Sequence, residues 1–132
     1  MTDEERTTRM PAMDVYLQAL NSLLDESDDS QASIAVTLHL SGGVLHGHMI
    51  SHRAWREAWL DQIHASDPAV AAFLDTALAV VPTDADDPDP SREPYLHLRD
   101  VTYHHGTDNA EASLWRGPMS AVSGWSLTQP RL

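Results

Sequence analysis

The sequence contains no cysteine, no lysine and only one phenylalanine. The first absence excludes disulfides, thiolate zinc sites, iron–sulfur clusters and cysteine nucleophiles together. The second leaves arginines as the only fixed cations in a chain of 132 residues with a formal net charge of −12. Such a chain is poorly suited to nucleic acid or anionic lipid, both of which require clustered cations. No apolar run approaches the roughly 20 residues needed to span a bilayer. The opening MTDEERTTRM carries acids where a leader peptide would carry positive charge followed by an apolar stretch, so a cytoplasmic location is expected. Also missing are the G-x-S-x-G, H-E-x-x-H, Walker A and G-x-G-x-x-G patterns, which removes the standard nucleophile, metal and phosphate arrangements. The reading is therefore a protein that is not an enzyme and takes no cofactor.

The apolar share, 42%, supplies enough material for the core of one domain. Residues 1–10 are polar and aperiodic and read as a flexible tail, leaving 11–132 as a single domain. Met13, Leu17, Leu20 and Leu24 recur at helical spacing, so 12–24 reads as an amphipathic helix with Pro11 near its first turn. The acidic, serine-rich residues 25–30 end it in a loop. Residues 32–40, ASIAVTLHL, alternate as a half-buried strand does. Gly42-Gly43 then suits a two-residue turn into a second strand. That register places Leu40 opposite Leu45, Leu38 opposite Gly47 and His39 opposite His46. Gly47 in mid-strand marks a weak point, or a bend where another backbone comes close; Gly124 reads as a second bend.

Helical periodicity returns over 52–64, with Ser51 as N-cap and Ala54, Trp55, Ala58, Trp59 and Ile63 on one stripe. Asp67-Pro68 starts another helix over 68–81, apolar nearly all round, as expected of a helix covered on more than one side or by a partner chain. Residues 82–94, with four prolines and five acids, read as a linker. Beyond it come a strand at 95–103, a polar loop at 104–112, and short strands at 113–117 and 119–127 divided near Gly117-Pro118. The fold class is α+β: an N-terminal helix and a small, five-stranded, bent antiparallel barrel carrying two helices between its second and third strands.

The stretches LSGGVLHGHMI (40–50), YLHLRDV (95–101) and LWRGPMSAV (114–122) resemble the two-part signature of Sm-like barrels. A closer resemblance is to the gas vesicle accessory family GvpU. It is carried by the hairpin at 34–51, the aromatic helix after it, YLHLRDV before a His/Gly/Asn loop, and LWRGPMSAVSGWSL at 114–127. The GvpU resemblance implies a cytoplasmic, non-enzymatic protein that associates with gas vesicles and acts on their assembly or clustering, with gas vesicle proteins as partners. A homo-oligomer formed through the barrel's edge strands and the apolar helix 68–81 is expected, because exposed strand edges and apolar faces need cover.

Trp115 and Arg116 are the preferred interface residues, since Trp and Arg dominate interface energetics. Trp115 and Leu114 point opposite ways, so one of them leaves the barrel core; Trp115 is the one preferred, either as an interface residue or, equally, as a surface Trp covered by the two inserted helices. Trp55 and Trp59, four apart on one helix, are either core or an aromatic anchor, and Phe73 and Leu74 belong to the apolar helix. The alternative class is a metal-binding domain in which His39, His46 and His48 share one face of the hairpin; against it, their spacing matches no established metal motif, and outward polar positions on a barrel account for them better. RNA binding, the Sm-like alternative, requires an asparagine before the third strand's L-x-L, where Glu93-Pro94 stands, although Arg116-Gly117 keeps the second half of that site. With eight histidines of pKa near 6.5, protonation offsets much of the negative charge. Self-association is expected to strengthen as pH falls from about 7.5 to 5.5; light scattering that stays flat across that range would refute this.

Overall fold

The computed structural model describes residues 14–79 and 94–128. The expected tail at 1–10, and all of the expected linker except Pro94, lie outside them. Helix α1 spans Val15–Glu26. It begins where the Asp14 carboxylate accepts the N–H groups of Tyr16 and Leu17 at 2.9 and 3.0 Å, satisfying two donors that have no partner inside the helix. Leu17, Asn21 and Leu24 form its buried face. Asn21 Nδ2 donates to the Tyr95 carbonyl at 3.2 Å and ties the helix to the sheet.

Strands β1 (Ile34–Leu40) and β2 (Gly43–Met49) form the expected hairpin, but in a register two residues away from the one read from sequence. Leu40 pairs with Gly43, Leu38 with Leu45 and Thr37 with His46, so the turn is Ser41-Gly42. A shift of two preserves sidedness, and Val36, Leu38, Leu45 and Met49 all reach the core. Neither Gly42 nor Gly43 has a positive φ. Gly43 is instead a point of close approach, where a Cβ would overlap the His104 carbonyl of the neighbouring strand.

After β2 the chain forms two helices, α2 (His52–Ser66) and α3 (Pro68–Leu78). The Ser51 hydroxyl caps α2 by accepting from the Ala54 N–H at 3.1 Å. Asp67 then serves both helices: its N–H reaches the Ile63 carbonyl, and its carboxylate accepts from Ala69 and Val70. With Pro68 following in the first turn, α3 starts without a loop. It ends at Leu78, short of the expected Val81.

Strands β3 (Tyr95–His105) and β4 (Asp108–Pro118) make a long hairpin, followed by a 3₁₀ turn at Met119–Ala121 and β5 (Val122–Leu127). The loop expected at 104–112 is therefore strand, with His105 paired to Asp108 around Gly106 and Thr107. Residues 105–113 are exposed on both faces, so no apolar side alternates with a polar one and the strand signal is lost. The sheet order is β4-β3-β2-β1-β5, antiparallel throughout and not closed. The expected barrel closure is thus absent among the described residues, and β4 and β5 are edges.

The expected bend at Gly47 takes the form of a bulge on its partner. His46 pairs with Thr102 and His48 with Arg99, which leaves Asp100 and Val101 opposite Gly47. Asp100 adopts φ 52°, a left-handed conformation that aspartate tolerates better than most side chains. A Cβ on Gly47 would lie 3.0 Å from Val101 Cγ2 and 3.1 Å from Leu98 Cδ2, confirming the close approach. Beside Gly124 a second register shift leaves Ser123 extra, its hydroxyl donating to the His39 carbonyl at 3.0 Å.

The core lies between α1 and one sheet face: Leu17 and Leu24 meet Val36, Leu38, Leu45, Met49, Leu96, Leu98, Val101 and Met119. Gly43→Ala is expected to cost about 1–3 kcal/mol, the usual range for overpacking. Gly124→Ala, whose nearest neighbour would be His39 Cδ2 at 4.0 Å, should change stability far less. Urea denaturation midpoints of the two variants check the contrast.

Candidate functional site

His97 stands between Leu96 and Leu98 on β3 and points away from the core that they enter. Even so it is only 4% exposed, because the first turns of α2 cover it. The His52 ring lies 4.6 Å from the His97 ring, centroid to centroid, and Trp55 lies 5.4 Å away. Trp59 stacks on Trp55 one helical turn later, at 5.7 Å. From β4, Arg116 Nε donates to His97 Nε2 at 3.1 Å. The same guanidinium sits 4.0 Å over the Tyr95 ring, a cation–π contact.

The hydrogen bond from Arg116 fixes the tautomer. Nε2 must be an acceptor, so the ring proton is on Nδ1. His97 Nδ1 and Trp55 Nε1 are both buried, and neither has a hydrogen-bond partner among the described residues. Burial pushes the His97 pKa down to about 3, with smaller contributions in the same direction from His52 and Arg116. The imidazole is therefore neutral at physiological pH. Its chemistry is that of a hydrogen-bond acceptor joining β4 to the ground beneath α2.

Three of the residues singled out from sequence, Trp55, Trp59 and Arg116, come together around this histidine. Trp115 does not join them. It pairs with Leu98, turns to the core face and packs there against the flat space left by Gly117, reversing the expectation that it leaves the core. Phe73 and Leu74 lie on α3, where Ala71 is buried and Leu74 half-buried. Phe73 is 78% exposed and Val70, one turn before it, 53%. The expected cover of α3 on several sides is not supplied by the described residues.

The histidines proposed as metal ligands do not converge. His39 pairs with Val44 and Gly124 and is exposed. His46 Nδ1 is 2.8 Å from the Thr37 hydroxyl, with its ring edge-on to His104 at 5.2 Å. His48 lies between Ala35 and Arg99. No group of three His, Cys, Asp or Glu side chains able to hold a metal ion occurs among the described residues.

The alternation over 95–103 sets His97 opposite Leu96 and Leu98 but does not mark it as the centre of a cluster. The available signal was the Trp-bearing helix directly after β2, which needed a surface to cover. Because the folded pKa of His97 lies below its unfolded value of 6.5, its contribution is intact above about pH 6.5 and is lost as pH falls toward 3. The slope across that window is about 1.4 kcal/mol per pH unit for one proton. His97→Gln, which keeps an acceptor for Arg116 but does not titrate, should flatten the acid limb; stability curves of both proteins over pH 3–7 measure the difference.

No helix among the described residues is long and apolar enough to cross a membrane. Neither the curated proteins nor the solved structures yield a match. A family model described as gas vesicle protein GvpU-like matches residues 14–130. With every described helix and the entire sheet inside that match, the chain belongs to the GvpU-like family of gas vesicle proteins.

Proposed function

We propose that this protein is a non-enzymatic gas vesicle accessory protein of the cytoplasm that self-associates and acts on vesicle assembly or clustering. The observation that carries the self-association is the apolar face of α3. Phe73 and Val70 stand in solvent one helical turn apart on a helix whose only charged residue is Asp75. In a chain of net charge −12, a face with so little charge is where two copies meet with least repulsion. The sheet edges add to this. The β5 sequence, VSGWSL, contains no charged residue or proline to discourage pairing with another strand. Family membership supports the connection to gas vesicles, whose proteins are the proposed partners.

The test is molar mass by light scattering on a sizing column at two concentrations, paired with flotation alongside purified gas vesicles. The wild-type chain is expected to form an oligomer and to rise with the vesicles. Phe73→Glu, at an exposed position that leaves the core untouched, is expected to weaken self-association at least tenfold. A wild-type monomer at both concentrations that stays below the floating layer would overturn the proposal.

A further inference from the structure

The α2–α3 hairpin contains a histidine whose surroundings suit its protonated form better than its neutral one. His64 Nδ1 lies 2.7 Å from the Leu60 carbonyl oxygen, and His64 Nε2 lies 3.1 Å from Asp75 Oδ2. A backbone carbonyl and a carboxylate are both acceptors. A neutral imidazole has one N–H and satisfies one of them; the imidazolium has two and satisfies both. We propose that His64 is a proton-operated latch that clamps α3 onto α2 when charged and loosens its hold when neutral.

The groups facing the imidazole are the Asp75 carboxylate from α3 and, on α2 itself, the Leu60 carbonyl and the Asp61 carboxylate. On β3, the titratable residue against α2 is His97, which meets the helix at Trp55, about 13 Å along the axis from His64 at 1.5 Å per residue. On β4, the contact is the uncharged Ser113, which accepts from Gln62 Nε2 at 2.7 Å. Among the described residues, the charges beside His64, those of Asp75 and Asp61, therefore both favour the imidazolium. The hydrogen bond to Asp75, followed by that to Leu60, raises its pKa above 6.5. The sign follows: the clamp is fully present below about pH 6.5 and is lost as pH rises through the elevated folded value.

An exposed ion pair ordinarily contributes little, but α3 is lightly held. Ala71 is its only buried residue, and α2 buries none completely. Segments with so few buried apolar contacts open locally at low cost, so one side-chain clamp has leverage over their position. Asp75 lies two residues from Phe73, and the clamp therefore governs how firmly that exposed ring is held. The latch does not depend on what covers that face.

The experiment is an NMR titration of the full chain that follows the His64 ring together with amide exchange across Ala69–Leu78, corrected for the intrinsic pH dependence of exchange. The His64 midpoint is expected above 6.5 in the wild type and to fall toward 6.5 in Asp75→Asn. Protection of the α3 amides should drop as pH rises through that midpoint, and should be low and independent of His64 ionisation in His64→Gln. A wild-type midpoint at or below 6.5, or an elevated midpoint with unchanged α3 protection, overturns the proposal. Both readings come from the wild-type chain, so they decide it even if a variant fails to fold.

Discussion

At Leu96, His97 and Leu98 three successive residues of β3 are buried, which a strand achieves only where both of its faces are covered. The two leucines lie under α1 and the histidine under α2. This short segment is therefore where the helix that precedes the sheet and the helices that interrupt it are referred to one another. Further ties gather nearby: Asn21 bonds to the Tyr95 carbonyl, the Ile50 N–H to the His97 carbonyl, and the His52 N–H to the Asp25 carboxylate. The last joins the end of α1 directly to the start of α2.

The two sides of this segment are built differently. The α1 side is apolar apart from the uncharged Asn21, so its stability follows buried area and varies little with pH. The α2 side is aromatic and polar, centred on a neutral imidazole whose Nδ1 has no partner among the described residues. Burying such a group costs free energy that the surrounding rings and the Arg116 hydrogen bond must offset. Acid therefore strikes the α2 side first. The far end of the same helix responds in the opposite sense, since His64 gains hydrogen bonds on protonation.

Much of this architecture was legible in the residues. The alternation of Val36, Leu38 and Leu40 identified a strand, Ser51 and Asp67-Pro68 marked two helix starts, and Gly47 marked a close approach. Each is a local rule with a local cause. The hairpin register slipped by two because periodicity fixes which face a residue occupies but not which residue lies opposite it. Strand 108–113 stayed hidden because neither of its faces touches a core. Closure of the sheet is a property of long-range pairing, which no short motif encodes. At the site, Trp55, Trp59 and Arg116 stood out by residue type alone, whereas His97 acquires its character from α2, a partner distant in sequence. Trp115 was misdirected because Leu114 was assumed to hold the core position that Trp115 itself takes.

The outer part of the β3–β4 hairpin, residues 106–112, is paired strand to strand, and every residue in it is exposed among the described residues. Its side chains are nearly free of packing constraints, so substitutions there are cheap in stability. An arm of this kind can drift in composition while the fold behind it stays fixed. The Gly106-Thr107 tip is accordingly the natural place to splice in an epitope or a fluorophore-bearing loop, giving a reporter that leaves the sheet, the α2 cluster and α3 untouched.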